Sequence, residues 1–163
     1  MTRRLSSAIA LVFLLSLVLG CGTSGPGPSA GGDDKWADHT QGLPFLIGYE
    51  AGITKAKAEN KPVMLFVTTT WCGWCKKLAA EDLTDPEVRK MLENFVLAIV
   101  DGDTETAAAK TLGADGFPHI VFQDPEGQNL GTVGGYVPVA DFKSAVEQAL
   151  TKFNETHPKV AAR

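Results

Sequence analysis

Two cysteines separated by two residues give this chain its clearest chemical capacity. Cys72 and Cys75 lie in the stretch WCGWCK at residues 71–76, directly after the apolar run at 63–67. This order predicts a buried strand, a short turn and a helix that begins at the cysteine pair. A thiol at a helix N-terminus faces unpaired backbone N–H groups and the positive end of the helix dipole, which favour the reactive thiolate. The pattern therefore indicates thiol–disulfide chemistry.

A metal site is the main alternative for the same two cysteines. Zinc usually takes four protein ligands, and the sequence holds no second cysteine pair. His39, His119 or His157 would have to complete the ligand set. A purely structural disulfide is a weaker explanation, because closing so short a loop restricts the unfolded chain little. We therefore expect a redox-active Cys72–Cys75 pair with no metal and no other cofactor.

Hydrophobic periodicity and turn signals predict alternating strands and helices around the cysteine pair. The predicted strands are 63–68, 95–100, 117–122 and 130–133. Helices are predicted at 49–60, 104–112 and 138–153, and two further helices are predicted to start at 72 and at 84–87. Two apolar strands separated by helices indicate parallel pairing, and the late hairpin adds an antiparallel edge. We expect an α/β fold with a central mixed sheet of about four strands flanked by helices.

Acidic residues gather where the second predicted strand ends. Asp101, Asp103 and Glu105 suggest a calcium site, but the segment lacks the twelve-residue ligand pattern of a calcium loop. A turn followed by a helix that Thr104 caps explains these residues better.

The first 35 residues are predicted to export and tether the protein. Residues 1–20 begin with a positive charge and continue as an apolar run that is short for a membrane span, as in a signal peptide. The stretch LVLGC at 17–21 resembles the lipobox of bacterial lipoproteins, which implies a lipid on Cys21; an ordinary secretory signal is the alternative. The Gly/Pro/Ser-rich residues 21–35 are expected to form a flexible tether with a reach of about 20 Å.

The cysteine count agrees with a lipid on Cys21. An exported protein with three cysteines has one odd thiol, and lipidation of Cys21 leaves Cys72 and Cys75 as the remaining pair. Without residues 1–20, which carry two arginines and no acid, the formal net charge falls from −4 to −6. Since no basic stripe is present, we expect no nucleic-acid partner.

The cysteine motif and its surroundings resemble the thioredoxin superfamily. The stretches KPVML at 61–65, WCGWCK at 71–76 and LTDPEV at 83–88 are similar to the thioredoxin-like domain of bacterial periplasmic thiol:disulfide interchange reductases. The resemblance covers roughly residues 45–153. It implies a thioredoxin-like domain at 36–155, followed by a C-terminal tail at 156–163.

The resemblance also implies roles for individual residues. Cys72 would be the exposed nucleophile, and Cys75 would be the buried thiol that resolves the mixed disulfide. Pro118 would be a cis-proline that faces the disulfide, a geometry that is cheap for an X-Pro bond. The backbone of Phe117 would pair with an extended partner segment. Residues expected to shape partner binding are Trp71, Gly73, Trp74, Phe117 and Pro118, although plain packing is an alternative for Trp71.

Two positions depart from the family pattern. The buried acid usual six residues before the first cysteine is replaced by Phe66, and the glutamate usual four residues after the second is replaced by Ala79. Proton transfer is expected to use water, Glu81 or another acid such as Glu50. His119 either lies near the disulfide or faces solvent from its strand, and the sequence leaves both readings open.

These observations predict a thiol–disulfide oxidoreductase that is tethered to a membrane outside the cytoplasm. The resemblance favours a reductase. Its partners would be protein thiols and disulfides in that compartment and an unidentified electron donor, with a lipid on Cys21 binding a bacterial membrane that faces the periplasm or the cell exterior. We expect a monomer. The alternative is a thioredoxin-like binding module whose cysteine pair is a structural disulfide or clamps a metal.

Overall fold

A computed structural model describes residues 34–158 of this chain. The predicted signal peptide at 1–20, Cys21 and the tether up to residue 33 lie outside the described residues. So do residues 159–163 of the predicted C-terminal tail.

The core of the fold is one five-stranded mixed sheet, which confirms the predicted α/β architecture. Its strands are β1 (Leu46–Ile47), β2 (Val63–Thr68), β3 (Val96–Asp101), β4 (His119–Gln123) and β5 (Asn129–Gly134), in the order β1-β3-β2-β4-β5. Strands β1, β3 and β2 are parallel, whereas β4 is antiparallel to both β2 and β5. The sheet has one strand more than predicted because β1 has two residues, too few to show a hydrophobic period.

Within the described residues, six α-helices surround the sheet. They are α1 (Ala37–Thr40), α2 (Tyr49–Glu59), α3 (Gly73–Asp82), α4 (Pro86–Leu92), α5 (Thr106–Thr111) and α6 (Val139–Thr156). The predicted start of α4 is confirmed, since the Asp85 carboxylate accepts the backbone N–H groups of Glu87 and Val88. The sequence did not predict α1, which is a single helical turn.

The predicted cap of α5 is wrong. The helix begins at Thr106, and Glu105 rather than Thr104 occupies the N-cap position without a capping hydrogen bond from its side chain. The Glu105 carboxylate instead accepts the backbone N–H groups of Tyr49 and Asp101. This carboxylate therefore joins the start of α2 to the end of β3.

Two apolar layers enclose the sheet. Every residue of β2 and β3 is buried, because helices cover both faces, and this explains their continuous apolar runs. Met64 and Phe66 belong to the larger core, which also contains both cysteines and buried side chains of α3, α4 and α6. Val63, Leu65 and Val67 belong to the smaller core beneath α2 and α5. The cysteine pair thus lies on the face of the sheet that carries the larger core.

Candidate functional site

Cys72 and Cys75 form a disulfide at the first turn of α3. Cys72 is the N-cap of this helix, and its Sγ accepts the backbone N–H of Cys75 at 3.1 Å. The two Cα atoms are 5.3 Å apart. Cys75 is fully buried, whereas Cys72 keeps 5% of its surface exposed. The helix start therefore offers a hydrogen bond and a favourable dipole to a thiolate on Cys72, and solvent reaches that residue in preference to Cys75.

The segment before β4 lies at the same edge of the sheet as the cysteines. The Phe117–Pro118 peptide bond is cis, and the Pro118 carbonyl accepts the backbone N–H of Gly135 at 2.8 Å. His119 pairs with Val67 in the antiparallel ladder of β2 and β4. Pro118 consequently lies next to the end of β2 from which the chain runs on to Cys72.

Trp71 forms an exposed surface of this site and is held by two contacts. Of the residue, 68% is accessible to solvent. The indole Nε1 donates to Asp103 Oδ2 at 2.9 Å, and the ring meets Phe117 edge-on with centroids 6.1 Å apart. Plain packing in the core is therefore wrong as an explanation of Trp71. A fixed apolar surface beside Cys72 is the arrangement that the structure shows.

Phe117 itself is held against a glycine. A Cβ added to Gly102, which follows β3, would lie 2.6 Å from Phe117 Cε1, closer than real side chains approach. The backbone N–H of Gly102 donates to the Thr68 carbonyl at 2.8 Å. The absence of a side chain at Gly102 thus allows the Phe117 ring to lie directly on the end of the sheet.

Trp74 forms a second exposed surface, held by a different loop. It is 59% accessible, and its ring centroid lies 5.6 Å from that of Tyr136, in the connection between β5 and α6. Lys77 Nζ lies 4.5 Å from the Tyr136 centroid and 5.5 Å from that of Trp74. Glu81 accepts the Tyr136 hydroxyl and lies 3.9 Å from Lys77 Nζ. Lys77 therefore packs against both aromatic rings while nearly half of its side chain stays exposed.

Gly73, between the two tryptophans, occupies open space. It is exposed, and no heavy atom would lie within 4 Å of a Cβ added there. The structure therefore places all five predicted binding residues at one edge of the sheet.

The acidic cluster after β3 is a structural turn. Lys35 Nζ lies 3.8 Å from Asp101 Oδ2, and Asp101 Oδ1 accepts the backbone N–H of Asp103 at 3.1 Å. The Asp103 carboxylate is the acceptor for Trp71 described above, and Glu105 bonds to backbone groups. Each acid thus has a protein partner.

The structure places two of the three candidate histidine ligands, His119 and His157, away from the cysteine pair. His119 Nε2 lies 3.0 Å from the Leu112 carbonyl at the end of α5, on the sheet face opposite the cysteines. His157 Nε2 lies 3.1 Å from Glu126 at the end of α6. The reading that put His119 near the disulfide is therefore wrong, and within residues 34–158 neither side chain approaches Cys72 or Cys75.

The two acids proposed for proton transfer are poorly placed for it. Glu50 is exposed at the start of α2, on the opposite face of the sheet. Glu81 is exposed on α3 and already bonded to Tyr136 and Lys77. Phe66 is fully buried, so β2 offers no ionisable group to the cysteines.

The sequence analysis did not predict that Asp82 and His39 are buried, and it named His39 only as a candidate metal ligand. Asp82 is the last residue of α3 and has no exposed surface; burial, with help from the charges of Glu81 and Asp85, raises its pKa to about 7. Its spacing from Cys75, Leu78 and Ala79 puts it on the buried face of the helix, a signal that periodicity contained. His39 is fully buried in α1, and so short a helix carries no period from which this could be read.

Comparisons with known proteins agree with this geometry. The model of the family described as "Thioredoxin-like domain" matches residues 49–150. The thiol:disulfide interchange protein DsbD of Cronobacter sakazakii is 33% identical over 101 residues, which are 58% of this chain and 18% of that protein. The chloroplastic thioredoxin-like protein HCF164 of Arabidopsis thaliana is 31% identical over 84 residues, 52% of this chain and 32% of that protein. The chain thus spans less than a third of the length of these relatives.

Solved structures show the same fold. A thioredoxin from Thermus thermophilus superposes with a TM-score of 0.62 at 27% identity and covers 68% of this chain and 90% of its own. The oxidised C-terminal domain of DsbD from Neisseria meningitidis has a TM-score of 0.53 at 30% identity, with coverage of 61% and 91%. The predicted thioredoxin-like fold is confirmed. Between residues 34 and 158, no helix combines the length and the apolar character that a membrane span requires.

Proposed function

This chain belongs to the family of thioredoxin-like domains, and from that premise we propose that it is a protein-disulfide reductase that works outside the cytoplasm on a lipid tether. The observation that carries the redox part is the position of Cys72. Its Sγ caps α3 and accepts the Cys75 N–H at 3.1 Å. Its backbone N–H donates to the carbonyl of Thr69, directly after β2, and this end of β2 pairs with the residue that follows the cis Phe117–Pro118 bond. A helix N-terminus stabilises the thiolate that disulfide exchange requires.

The reaction begins with the reduced cysteine pair. The Cys72 thiolate attacks one sulfur of a partner disulfide, and the other partner sulfur leaves with the bonding electrons and takes up a proton. Cys75 then loses its proton and attacks the Cys72 sulfur. The Cys72–partner bond breaks, the partner leaves as a dithiol, and Cys72 and Cys75 become the disulfide seen in this structure. A dithiol electron donor must reduce this disulfide before the next cycle.

The exposed aromatic surfaces support a protein as the substrate. Trp71 and Trp74 are both more than half accessible although they are large and apolar, which is typical of a surface that a partner covers. Trp71 with Phe117 and Trp74 with Tyr136 are held by separate contacts, so little side-chain freedom is lost when a partner binds. An extended segment carrying the target cystine would lie between them, against the backbone of Phe117.

Relatives support the class of partner. DsbD of Cronobacter sakazakii is named a thiol:disulfide interchange protein. The sequence from residue 1 to Cys21 supports export and lipid attachment. Metabolic labelling with a radioactive fatty acid tests the anchor: label should enter the wild-type chain and be absent from Cys21→Ser. Equal labelling of both chains would contradict lipidation at Cys21.

An insulin-reduction assay tests the catalytic proposal. Wild type supplied with a dithiol donor should precipitate the insulin B chain at least about a hundredfold faster than Cys72→Ser or Cys75→Ser, because either change removes one half of the exchange couple. A wild-type rate equal to that of both variants, with several donors tried, would contradict the reductase proposal.

A binding module with a stable disulfide is the second candidate. The fully buried Phe66 favours it, because the strand next to the cysteines lacks a group that could ionise. The redox potential separates the two functions. A reductase needs a potential near those of thioredoxin-type proteins, about −270 mV, whereas a structural disulfide is typically below about −300 mV.

A further inference from the structure

The proposed reaction needs a proton acceptor for Cys75. This cysteine is fully buried, and burial in apolar surroundings favours the neutral thiol over the thiolate that must attack Cys72. Four titratable side chains of residues 34–158 are also buried: His39, Asp82, Asp101 and Asp124. One of these is placed to take the proton.

Three of the four are excluded by position or by their bonds. Asp82 follows Cys75 by seven residues on α3, about 10 Å along the helix axis. Asp101 lies beside Lys35 and accepts the Asp103 N–H. Asp124 accepts two backbone N–H groups of its own turn. His39 is the group that remains.

Helix α1 brings His39 to the buried side of the cysteine motif. Lys76 Nζ and Asp38 Oδ2 are 3.3 Å apart, so an ion pair joins the residue after Cys75 to the residue before His39. The His39 ring lies edge-on to Trp36, with centroids 5.3 Å apart, and 6.4 Å from the ring of Phe66. Trp36 and Phe66 both belong to the core that contains Cys75.

Neither ring nitrogen of His39 has a side-chain partner. Within residues 34–158, no side chain hydrogen-bonds to Nδ1 or Nε2, although the residue has no exposed surface, and the Thr69 backbone is the polar group that acts on the ring. The nearby Thr69 hydroxyl is also unpaired, and the Thr69 carbonyl accepts the backbone N–H of Cys72 at 3.1 Å. A buried polar group without a partner costs about 1–3 kcal/mol, so its retention calls for a functional explanation.

Burial and the nearby charge of Lys76 hold the His39 ring in its neutral form. Burial lowers the pKa of His39 below its usual value, the positive charge of Lys76 on α3 lowers it further, and the Thr69 backbone and the Asp38 carboxylate oppose this shift. The imidazole is therefore neutral at pH 7, and one of its two nitrogens carries a free lone pair.

We propose that His39 is the internal base that accepts the Cys75 proton when the mixed disulfide is resolved. The Cys75 S–H proton moves to the unprotonated ring nitrogen, directly or through one water. The sulfur electron pair forms the bond to Cys72 Sγ, and the Cys72–partner bond breaks with its electrons on the departing sulfur. That thiolate then takes a proton, and His39 returns to neutral by releasing its own. The inference rests on the proposed exchange function of Cys72 and Cys75.

A two-step release of thionitrobenzoate isolates the step concerned. Reduced protein is mixed with one equivalent of 5,5′-dithiobis(2-nitrobenzoate) in a stopped-flow spectrometer. Attack by Cys72 releases the first thionitrobenzoate, and attack by Cys75 on the resulting mixed disulfide releases the second. His39→Asn should slow the second release at pH 7 by at least about tenfold, since a general base contributes about 10²–10⁴-fold, and should leave the first within about twofold. Above pH 9 hydroxide takes over the proton, so the two rates should converge.

Asp38→Asn is the matched control, because it breaks the ion pair between α1 and α3 but keeps the imidazole. Its second release should stay within about threefold of wild type. Equal second-phase rates and pH profiles for wild type and His39→Asn would overturn the inference. So would an Asp38→Asn rate as slow as that of His39→Asn, since packing of α1 would then explain both.

If His39→Asn does not fold, a measurement on chains that retain His39 tests whether this residue interacts with the ionising Cys75. In an NMR titration of the reduced protein, the His39 ring resonances should show a second inflection from ionisation of Cys75, which Cys75→Ser removes. A His39 titration curve that Cys75→Ser leaves unchanged would overturn the inference. Insulin reduction by wild type, run in parallel, separates the two proposals. If wild type reduces insulin and the second phase of His39→Asn is unchanged, only the role of His39 is contradicted. If wild type does not reduce insulin, the reductase function is contradicted.

Discussion

Trp71 donates its indole N–H to the carboxylate of Asp103 over 2.9 Å. This bond joins the residue directly before Cys72 to the turn that follows β3, 32 positions along the chain. The turn is itself fixed, because Asp101 accepts the Asp103 N–H and lies beside Lys35. The acids after β3 therefore orient an aromatic side chain at the disulfide.

Loss of the Asp103 carboxylate should weaken substrate binding more than it slows the attack by Cys72. In Asp103→Ala the Trp71 ring gains rotamer freedom that a bound partner must remove, at about 0.5–1.5 kcal/mol. We expect KM for insulin to rise about two- to tenfold while the release of the first thionitrobenzoate stays near the wild-type rate. Glu155→Gln, which removes one exposed negative charge at the far end of α6, should change neither quantity. An unchanged KM in Asp103→Ala would show that the bond does not serve binding.

A methyl group at Gly102 should displace Phe117. The added Cβ would lie 2.6 Å from Cε1 of that ring, so the ring or the backbone must move. Overpacking of this kind costs about 1–3 kcal/mol, and the shifted ring should also lower kcat/KM for insulin. Urea unfolding and steady-state kinetics measure the two effects. Gly134→Ala, where a Cβ would meet nothing within 4 Å, is the matched control and should leave both within error.

Asp82 should make the protein less stable as the pH rises. Its pKa in the folded state is about 7 against an ordinary value of 3.8, so folding favours the protonated carboxyl. The stabilising effect is complete below about pH 4 and is lost as the pH rises through 7, where the charged carboxylate must be buried. Asp82→Asn should therefore match wild type at pH 4 and exceed its free energy of unfolding by about 2–4 kcal/mol at pH 8.

Urea denaturation of the oxidised protein at pH 4, 6 and 8 measures this difference. Glu93→Gln removes an exposed carboxylate on the same side of the sheet and should show no such pH dependence. A stability gain in Asp82→Asn that is the same at all three pH values would contradict the assignment to ionisation of Asp82.

The two cysteines should behave differently when partners are trapped. Cys75→Ser retains Cys72, the one of the two cysteines with some exposed surface, at the helix start but lacks the thiol that resolves the mixed disulfide. This variant should accumulate covalent complexes with partner proteins that dithiothreitol releases, whereas Cys72→Ser should form at least about tenfold fewer. Non-reducing electrophoresis measures the complexes. Equal trapping by both variants would contradict the assignment of Cys72 as the attacking thiol.

Several elements follow from the sequence because their cause is local. The runs at 63–68 and 95–100 are apolar throughout, as expected of parallel strands covered on both faces, and the structure has β2 and β3 there. Asp85 and Pro86 predict the start of α4 through capping and a fixed φ. The short elements β1 and α1 were missed, because two and four residues cannot display a period.

The cysteine motif could be read from local sequence: two cysteines at a helix start, after a strand whose apolar run indicates burial. The side chains that surround these cysteines follow from the packing of distant elements. His119 belongs to β4, which pairs with the strand that precedes the cysteine motif. Its side chain nevertheless lies on the opposite face of the sheet, because side chains alternate along β4. His39 is 33 residues before Cys72 in a single helical turn, and it reaches the buried side of the motif because α1 packs against α3. Long-range packing sets such neighbours, and local periodicity carries no information about it.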